Sequence, residues 1–309
     1  MLDYYSLFAL VISLGLAALV AGNNLFSCAG VIVAGGVVKR KTGVVVALIG
    51  YLLGLLLQGG MLHVGVYALL PVHDSMILFS GVLAAAAVFV VSHLLKAPQS
   101  LSLALASAFI GAGLAAGYVI NTSFLYLMIA VWITAPIVSL LVVFFLTSSQ
   151  KKKKKDIWRS MKIAKVLLIA ASFLMAYTLG ANTLGFLYSS VGYGSLEILI
   201  LFMAAIAVGS FAFSGRIIRN VEEEAMPVKY KGALATQLVS TVLVEGATFL
   251  GIPLSNTEVF TTSLLGSGLS YKTRMIDPKA LKTILLTWIL GALACLAIGY
   301  LVAYALILA

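Results

Sequence analysis

Two short polar stretches interrupt the apolar runs of this sequence, and they carry the residues best suited to chemistry. The stretch at 251–258 reads Gly-Ile-Pro-Leu-Ser-Asn-Thr-Glu, and the stretch at 96–102 reads Lys-Ala-Pro-Gln-Ser-Leu-Ser. Hydroxyl and amide groups donate hydrogen bonds without bringing a fixed charge into an apolar environment. The free N–H groups and the dipole at the start of a helix add attraction for an anion. Together the two stretches predict a site for a small oxyanion that is bound by neutral donors.

Five residues in these stretches combine a hydroxyl or amide group with a position after a helix-breaking proline. These candidate substrate contacts are Ser100, Ser102, Ser255, Asn256 and Thr257. Hydroxyl residues in membrane helices more often bond to their own helix or to a neighbouring one. The pairing of the stretches favours a site instead, because Pro98 precedes Gly111, and Pro253 precedes Gly266, by the same 13 residues. The glycines themselves indicate close helix packing.

Other landmarks also occur twice and in the same order. Asn24 lies in a Gly-Asn-Asn break and Asn182 in a Gly-Ala-Asn break, while Trp132 and Trp288 lie in the last long apolar segment of each half. A duplicated order of this kind is typical of membrane proteins built from inverted repeats. The predicted units are a first repeat at 1–148, a basic linker at 149–160 and a second repeat at 161–309.

The composition excludes a soluble protein. Of the 309 residues, 62% are hydrophobic and 10% are charged, whereas soluble domains are about half apolar and a quarter charged. The apolar runs are long enough to cross the roughly 30 Å hydrocarbon layer as helices, and their glycine-rich character does not suit barrel strands. Since lipid tolerates no unpaired backbone, a broken helix must line protein or a water-filled cavity. The predicted fold class is an all-α polytopic membrane protein with two inverted repeats, broken helices and paired re-entrant helical hairpins.

The basic residues predict an orientation for this protein. We place each asparagine break in the middle of one crossing and each proline break at the tip of a hairpin. All of the 20 Lys and Arg residues except Lys96 then fall in loops on one side, which the positive-inside rule assigns to the cytoplasm. These loops include the lysine run that begins at Lys151 (151–155), which suits contact with anionic lipid rather than with nucleic acid. Both termini are then outside a multi-pass protein of the plasma membrane, and His63 and His73 fall in an external loop.

Three acidic residues interrupt apolar segments, and acids in such places are candidates for function. Glu258 directly follows the Ser-Asn-Thr cluster, so that a protonated Glu258 can donate a hydrogen bond to an anion and then release its proton on the other side. Glu245 lies on the preceding segment, where a proton relay and a structural role are both open. Glu197 lies near the start of its segment and can reach the interface. Glu258 and Glu245 are therefore the predicted proton-coupling residues.

Motifs of enzymes and metal sites are missing from the sequence. Its two cysteines, Cys28 and Cys295, both lie in apolar runs, and there is no Cys/His metal spacing, no phosphate loop and no nucleophile elbow. We therefore expect no enzymatic activity, no cofactor and no resident metal. The glycine-rich helix faces fit either internal packing or a homodimer.

Taken together, the landmarks resemble the inorganic phosphate transporter (PiT) family, which includes phosphate permeases and a sulfate permease branch. That family carries a Gly-x-Asn-Asp-x-x-Asn signature and a Gly-x-Pro-x-Ser-Thr-Thr-His tip in each half. Residues 251–258 match the second tip closely, whereas 98–103 match the first tip only at the proline and two hydroxyls. The resemblance covers nearly the whole chain, and it implies a secondary transporter that moves inorganic phosphate.

Departures from the family pattern bear on the coupling ion. Leu25 and Thr183 stand where the family has the aspartates that the resemblance implies for Na⁺ binding, and a leucine offers no oxygen ligand to a hard cation. The resemblance implies that Asn24 and Asn182, which remain from the two signatures, are candidate substrate or ion contacts. The histidine of the second tip is replaced by Glu258. These differences predict coupling to H⁺ rather than to Na⁺. Because the tip is also similar to that of the sulfate branch, sulfate or a related oxyanion stays open as the substrate, as does a passive anion channel.

Overall fold

The computed structural model describes the chain at residues 3–69, 74–95, 99–148, 157–224, 230–271 and 278–309. All regular secondary structure in these ranges is helical. Four features named from the sequence lie outside these ranges. They are His73, Lys96, Pro98 and the lysine run at 151–155.

In the first half, a π-helical segment at Phe26–Gly30 follows Asn24 and continues directly into the next helix. The predicted break at Asn24 is therefore a π-helical turn inside one crossing, and such turns occur frequently at functional sites. The helices of this half are α1 (Tyr4–Asn23), α2 (Val31–Ala34), α3 (Arg40–Gln58), α4 (Leu62–Leu69), α5 (Ser75–Leu94), α6 (Leu101–Ala115) and α7 (Thr122–Ser148).

The second half repeats this arrangement, with a π-helical segment at Gly180–Leu184 that contains Asn182. Its helices are α8 (Ile157–Leu179), α9 (Gly185–Val191), α10 (Leu196–Glu224), α11 (Tyr230–Phe249), α12 (Asn256–Ser270) and α13 (Pro278–Leu308). Because α8 begins at Ile157, part of the predicted linker at 149–160 is helical, and the predicted repeat boundaries stay a prediction.

The prediction of an external loop around His63 is wrong in part. A 3-10 turn at Gly59–Met61 continues α3 into α4. The imidazole ring of His63 is stacked on the ring of Tyr193, with 3.7 Å between the ring centroids. His63 therefore packs against the second half of the chain, because two glycines allow the helix to tighten rather than to end.

Seven stretches of the described residues are long and apolar enough to cross a membrane. They are Tyr4–Ala34, Arg40–Leu69, Ser75–Leu94, Thr122–Ser148, Lys162–Val191, Leu196–Ser214 and Leu285–Leu308. The helix α6, with 15 residues, is shorter than these and forms a hairpin with α5, as α12 does with α11. The predicted fold class of a helical membrane protein with two repeats, broken helices and paired hairpins is confirmed.

The two halves pack through reciprocal helix pairs. The contact of α1 with α10 corresponds to that of α8 with α3, and the contact of α6 with α13 corresponds to that of α12 with α7. Each hairpin therefore packs against the last long helix of the other half. This exchange brings the two hairpin tips into one shared core.

Close approach of the helices depends on the glycine pairs. A Cβ atom on Gly111 of α6 would overlap with the carbonyl oxygen of Leu296 in α13, and a Cβ atom on Gly266 of α12 would overlap with that of Leu140 in α7. Backbone atoms cannot turn aside as a flexible side chain can. The glycines thus provide helix packing of the small-residue type that membrane helices use.

We expect Gly266→Ala and Gly111→Ala each to destabilise the protein by about 1–3 kcal/mol, because overpacking forces the helices apart. The measurement is the midpoint of thermal unfolding in detergent. Gly15→Ala in α1 is the matched control, since a Cβ atom there meets nothing within 4 Å. Equal unfolding midpoints for all three variants would show that α6 and α12 do not depend on these contacts.

Candidate functional site

Each polar stretch leads into the first turn of a helix. The backbone N–H of Leu103 donates to the hydroxyl of Ser100 at 3.2 Å, and the N–H of Glu258 donates to the hydroxyl of Ser255 at 3.2 Å. Serine is a favoured capping residue because its hydroxyl accepts from one of the free N–H groups at a helix start. The structure therefore places two capped helix N-termini at equivalent positions of the two hairpins.

The two N-termini meet at one small cavity. Its walls come from α1, α5, the second π-helical segment and both hairpin tips. The lining residues are Val20, Asn24, Phe89, Gln99, Ser100, Leu101, Ser102, Thr183, Ser255, Asn256 and Thr257. Six of the seven predicted substrate contacts are among them, and Asn182 is the exception. None of the lining residues carries a charged side chain.

Reciprocal hydrogen bonds tie each hairpin tip to the π-helical segment or break of the other half. The hydroxyl of Ser102 donates to the hydroxyl of Thr183 at 3.2 Å, and the hydroxyl of Thr257 donates to the amide oxygen of Asn24 at 3.0 Å. The two contacts involve equivalent tip positions. In this conformation the two bonds therefore hold each hairpin tip against the broken crossing of the other half.

Asn182 is fully buried and holds the second tip in shape. Its amide nitrogen donates to the hydroxyl of Thr248 at 2.9 Å and to the carbonyl oxygen of Ile252 at 3.0 Å, while its amide oxygen accepts from the N–H of Leu254 at 2.9 Å. Both atoms of the amide group are thus engaged with the loop that carries Pro253. This arrangement fits a positioning role better than the predicted direct contact with substrate.

A tryptophan from the first half supports the same tip. The indole N–H of Trp132 on α7 donates to the carbonyl oxygen of Pro253 at 2.7 Å. Proline cannot donate a backbone hydrogen bond, so its carbonyl oxygen is the group through which the tip can be held from the side. Trp132, one of the two tryptophans at equivalent positions of the repeats, therefore stabilises the tip of the second hairpin.

Glu258 lies in the first turn of α12, and only 3% of its surface is exposed. The hydroxyl of Ser100, on the other hairpin, lies close enough to interact with its carboxyl group. The second carboxyl oxygen, Oε1, has no partner among the described residues. A buried carboxyl group without a cation partner is costly in its charged form. Glu258 therefore connects the two tips at a place that suits a group able to take up and release a proton.

Glu245 occupies a different environment. It is partly exposed on α11 and interacts electrostatically with Tyr177 of α8. Neither glutamate is among the residues that line the cavity, but Glu258 directly follows the lining residue Thr257, whereas Glu245 lies on the preceding helix. The structure thus brings only one of the two predicted proton-coupling residues to the site, and the role of Glu245 stays a prediction.

A buried glutamine, which is not among the residues predicted from the sequence, pairs with carbonyl groups of the first π-helical segment. The amide nitrogen of Gln237 donates to the carbonyl oxygens of Ser27, at 3.3 Å, and Cys28, at 3.5 Å. The same amide group exchanges hydrogen bonds with the hydroxyl of Ser172, at 2.8 and 3.1 Å. A π-helical turn leaves carbonyl groups without their usual helical partner. Here a neutral amide group satisfies them.

Two further lining residues with polar groups were missed from the sequence. Thr183 is named above only as a replaced aspartate, and Gln99 is not among the predicted contacts. The signal that could have found Gln99 is its position directly before the capping Ser100. Its amide atoms, like those of Asn256, have no hydrogen-bond partner among the described residues.

Comparisons with known proteins agree with this geometry. A family model described as the phosphate transporter family matches residues 143–299, about half of the chain. A protein of Bacillus subtilis (strain 168), described as "Probable low-affinity inorganic phosphate transporter", is 25% identical over 235 residues, which is 71% of each chain. A protein of Methanocaldococcus jannaschii, described as a candidate phosphate permease, is 23% identical over 187 residues, or 59% of this chain and 62% of the relative.

A solved structure described as "The sodium-dependent phosphate transporter" has a similar fold. It superposes with a TM-score of 0.84 and covers 99% of this chain and 100% of its own, at 16% sequence identity. At that level of identity the comparison shows the shared fold, and the roles of individual residues have to be argued from the site itself.

Proposed function

The chain belongs to the phosphate transporter family, and on that premise we propose that it is a secondary transporter that moves inorganic phosphate across a membrane together with protons. The family consists of transporters and permeases rather than enzymes, and this chain is a multi-pass membrane protein. The observation that carries the proposal is the meeting of two capped helix N-termini, one from each half, at a single cavity lined by neutral hydrogen-bond donors.

The proposed substrate contacts follow from the lining of this cavity. Hydroxyls of both tips and the amide groups of Asn24 and Asn256 face the space where the two helix dipoles converge. Oriented neutral donors and helix N-termini bind anions well in a low-dielectric site. The tip contacts are Ser100, Ser102, Ser255, Asn256 and Thr257.

Alternating access is the proposed mechanism of movement. The two hairpins enter from opposite faces of the membrane in an inverted repeat, and the site lies where they meet. Each tip is bonded to the broken crossing of the other half through Ser102–Thr183 and Thr257–Asn24. Breaking one of these bonds while keeping the other would expose the cavity to one side at a time.

Proton coupling is supported by the groups that surround the tips. Glu258 is buried, interacts with Ser100 of the other tip and has one carboxyl oxygen without a partner among the described residues. At the first break, Leu25 is fully buried, and the carbonyl oxygens of Ser27 and Cys28 accept from Gln237. A hard cation needs several oxygen ligands, and in this conformation those oxygens are already occupied. The sodium dependence of the solved transporter is a property of that protein.

The proposed orientation has both termini outside and the basic loops in the cytoplasm. It rests on the distribution of Lys and Arg, of which all but Lys96 belong to loops that the topology predicted from the sequence assigns to one side. The proposed location is the plasma membrane. Accessibility of single cysteines introduced near each terminus to a membrane-impermeant thiol reagent would test this orientation.

The purified protein in liposomes should take up labelled phosphate, and an inward proton gradient should drive accumulation above the external concentration. Sodium in place of the proton gradient should give equilibration only. Uptake that follows sodium would reject proton coupling, and uptake of sulfate instead of phosphate would assign the protein to the sulfate permeases. Flux without accumulation under either gradient would indicate a passive channel, and no flux of either anion would reject the proposed function.

A further inference from the structure

Gln99 has an unusual environment for a residue in the core of a membrane protein. It lines the cavity directly before the first helix N-terminus, and only 6% of its surface is exposed. Neither its amide oxygen nor its amide nitrogen has a hydrogen-bond partner among the described residues. Because an unpaired buried polar group costs about 1–3 kcal/mol, such a group in a substrate cavity indicates a partner that arrives with the ligand.

The fold makes room for this side chain at Gly291 of α13. A Cβ atom on Gly291 would overlap with the amide oxygen of Gln99 and lie 2.6 Å from its amide nitrogen. In the other half, Ala135 occupies the position equivalent to Gly291, three residues after Trp132. The fully buried Leu254 occupies the position equivalent to Gln99, directly before the capping Ser255. The repeats therefore differ here, with a glutamine and a glycine on one side and a leucine and an alanine on the other.

We propose that Gln99 is a specificity-determining residue that recognises a protonated tetrahedral oxyanion by accepting a hydrogen bond from its O–H group. The inference rests on the proposed function of the same cavity. Hydrogen phosphate and hydrogen arsenate carry an O–H group, whereas sulfate and selenate at neutral pH do not. A bare oxyanion can only accept hydrogen bonds, so the amide oxygen of Gln99 would stay unpaired beside it.

The hydroxyl groups of the site cannot make this distinction. A serine or threonine hydroxyl rotates and offers either a donor or an acceptor, so Ser102 and Thr257 suit protonated and bare anions alike. An amide group always presents its oxygen together with its nitrogen. Since both amide atoms of Gln99 are unpaired, its oxygen is free to accept from a substrate O–H group while its nitrogen donates to another oxygen of the same anion. Sites that pair with a substrate O–H group reject analogues that lack it.

The test is competition against uptake of labelled phosphate in proteoliposomes by arsenate and by sulfate, with Gln99→Met, which keeps the length of the side chain and removes its hydrogen bonds. The wild type should be inhibited by arsenate at concentrations where sulfate has no effect. In the variant, the ratio of the sulfate to the arsenate inhibition constant should fall about tenfold, as the loss of one buried hydrogen bond predicts. Sulfate that competes with the wild type as well as arsenate does would overturn the inference.

Gly291→Ala provides an independent route, because it displaces the amide group of Gln99 without removing it. It should lower the same ratio, whereas Gly246→Ala, where a Cβ atom meets nothing within 4 Å, should leave the ratio unchanged. If Gln99→Met does not fold, Gly291→Ala decides the question. Equal weakening of both anions in the variants, or an unchanged ratio, would make Gln99 merely structural. Failure of the wild type to take up phosphate would instead reject the proposed function.

Discussion

Replacing Glu258 with glutamine should abolish the accumulation of phosphate that a proton gradient drives, while exchange of internal for external phosphate continues. Glutamine has nearly the shape of glutamic acid and keeps an oxygen that can interact with Ser100, so the packing of the two tips should be preserved. It cannot carry a proton. With the membrane potential clamped at zero, one proton moved with each H₂PO₄⁻ permits about tenfold accumulation per pH unit of gradient. The variant should reach a ratio of about one.

The pH dependence of uptake tests the role of Glu258 in a second way. Wild-type uptake should rise as the external pH falls, because a group that must bind a proton before transport is then occupied more often. The protonation of phosphate also changes with pH, and for that reason the wild type and the variant are compared at each pH. A variant that still accumulates phosphate, with the same pH profile as the wild type, would remove Glu258 from the coupling mechanism.

Substitutions of two other acidic residues serve as comparisons for Glu258→Gln. Glu197 is exposed in the first turn of α10, and Glu197→Gln should leave accumulation unchanged. Glu245→Gln tests the second predicted proton-coupling residue, which lies near Tyr177 rather than at the cavity. Loss of accumulation in both Glu245→Gln and Glu258→Gln would define a relay from α11 to the tip. Loss in Glu258→Gln alone would restrict the coupling to the tip.

The helical architecture could be predicted because the bilayer leaves few alternatives. Each apolar run must become a helix, since its backbone groups have no other partner in lipid. Polar residues in the middle of such a run then mark places that face protein. That reasoning located both hairpin tips, and the capping hydroxyls of Ser100 and Ser255 lie where it placed them.

The form of the asparagine breaks could not be predicted in the same way. A Gly-Asn-Asn run is consistent with an unwound segment, with a kink or with a π-helical turn. The choice depends on which distant group pairs with the freed carbonyls. In this fold Gln237, which is 210 residues from Ser27 along the chain, provides that pairing. A single sequence contains no sign of such a partner.

Assignments of individual side chains were also beyond the sequence. Asn24 and Asn182 occupy equivalent places in the two signatures and were given the same role. The structure places Asn24 at the cavity, with its amide oxygen bonded to Thr257. The amide group of Asn182 is instead bonded to the loop of the hairpin in its own half. Repeats that share a backbone can therefore assign different tasks to matching residues, because the neighbours that fill the space around them differ.

Replacing Asn182 with leucine should abolish transport and also destabilise the protein. Leucine is similar in volume but leaves the N–H of Leu254 and the carbonyl oxygen of Ile252 without partners, and both of these residues are fully buried. Each unpaired buried group costs about 1–3 kcal/mol. The tip that presents Ser255 should then lose its fixed shape. We expect a lower midpoint of thermal unfolding in detergent together with loss of phosphate uptake.

Two comparison variants separate positioning from direct binding. In Asn24→Leu the lost groups line the cavity, and the amide nitrogen bonds only to Val20 in its own helix. This variant should lose uptake with little change in the unfolding midpoint. Ser190→Ala removes a buried hydroxyl that bonds back to Phe186 within α9, so both measurements should stay close to those of the wild type.

The joint outcome decides what Asn182 does. A direct substrate contact predicts that Asn182→Leu behaves like Asn24→Leu, with uptake lost and stability kept. A positioning residue predicts that uptake and stability fall together, because the same hydrogen bonds that shape the tip also hold the loop in the core. Retained uptake in Asn182→Leu would contradict both roles.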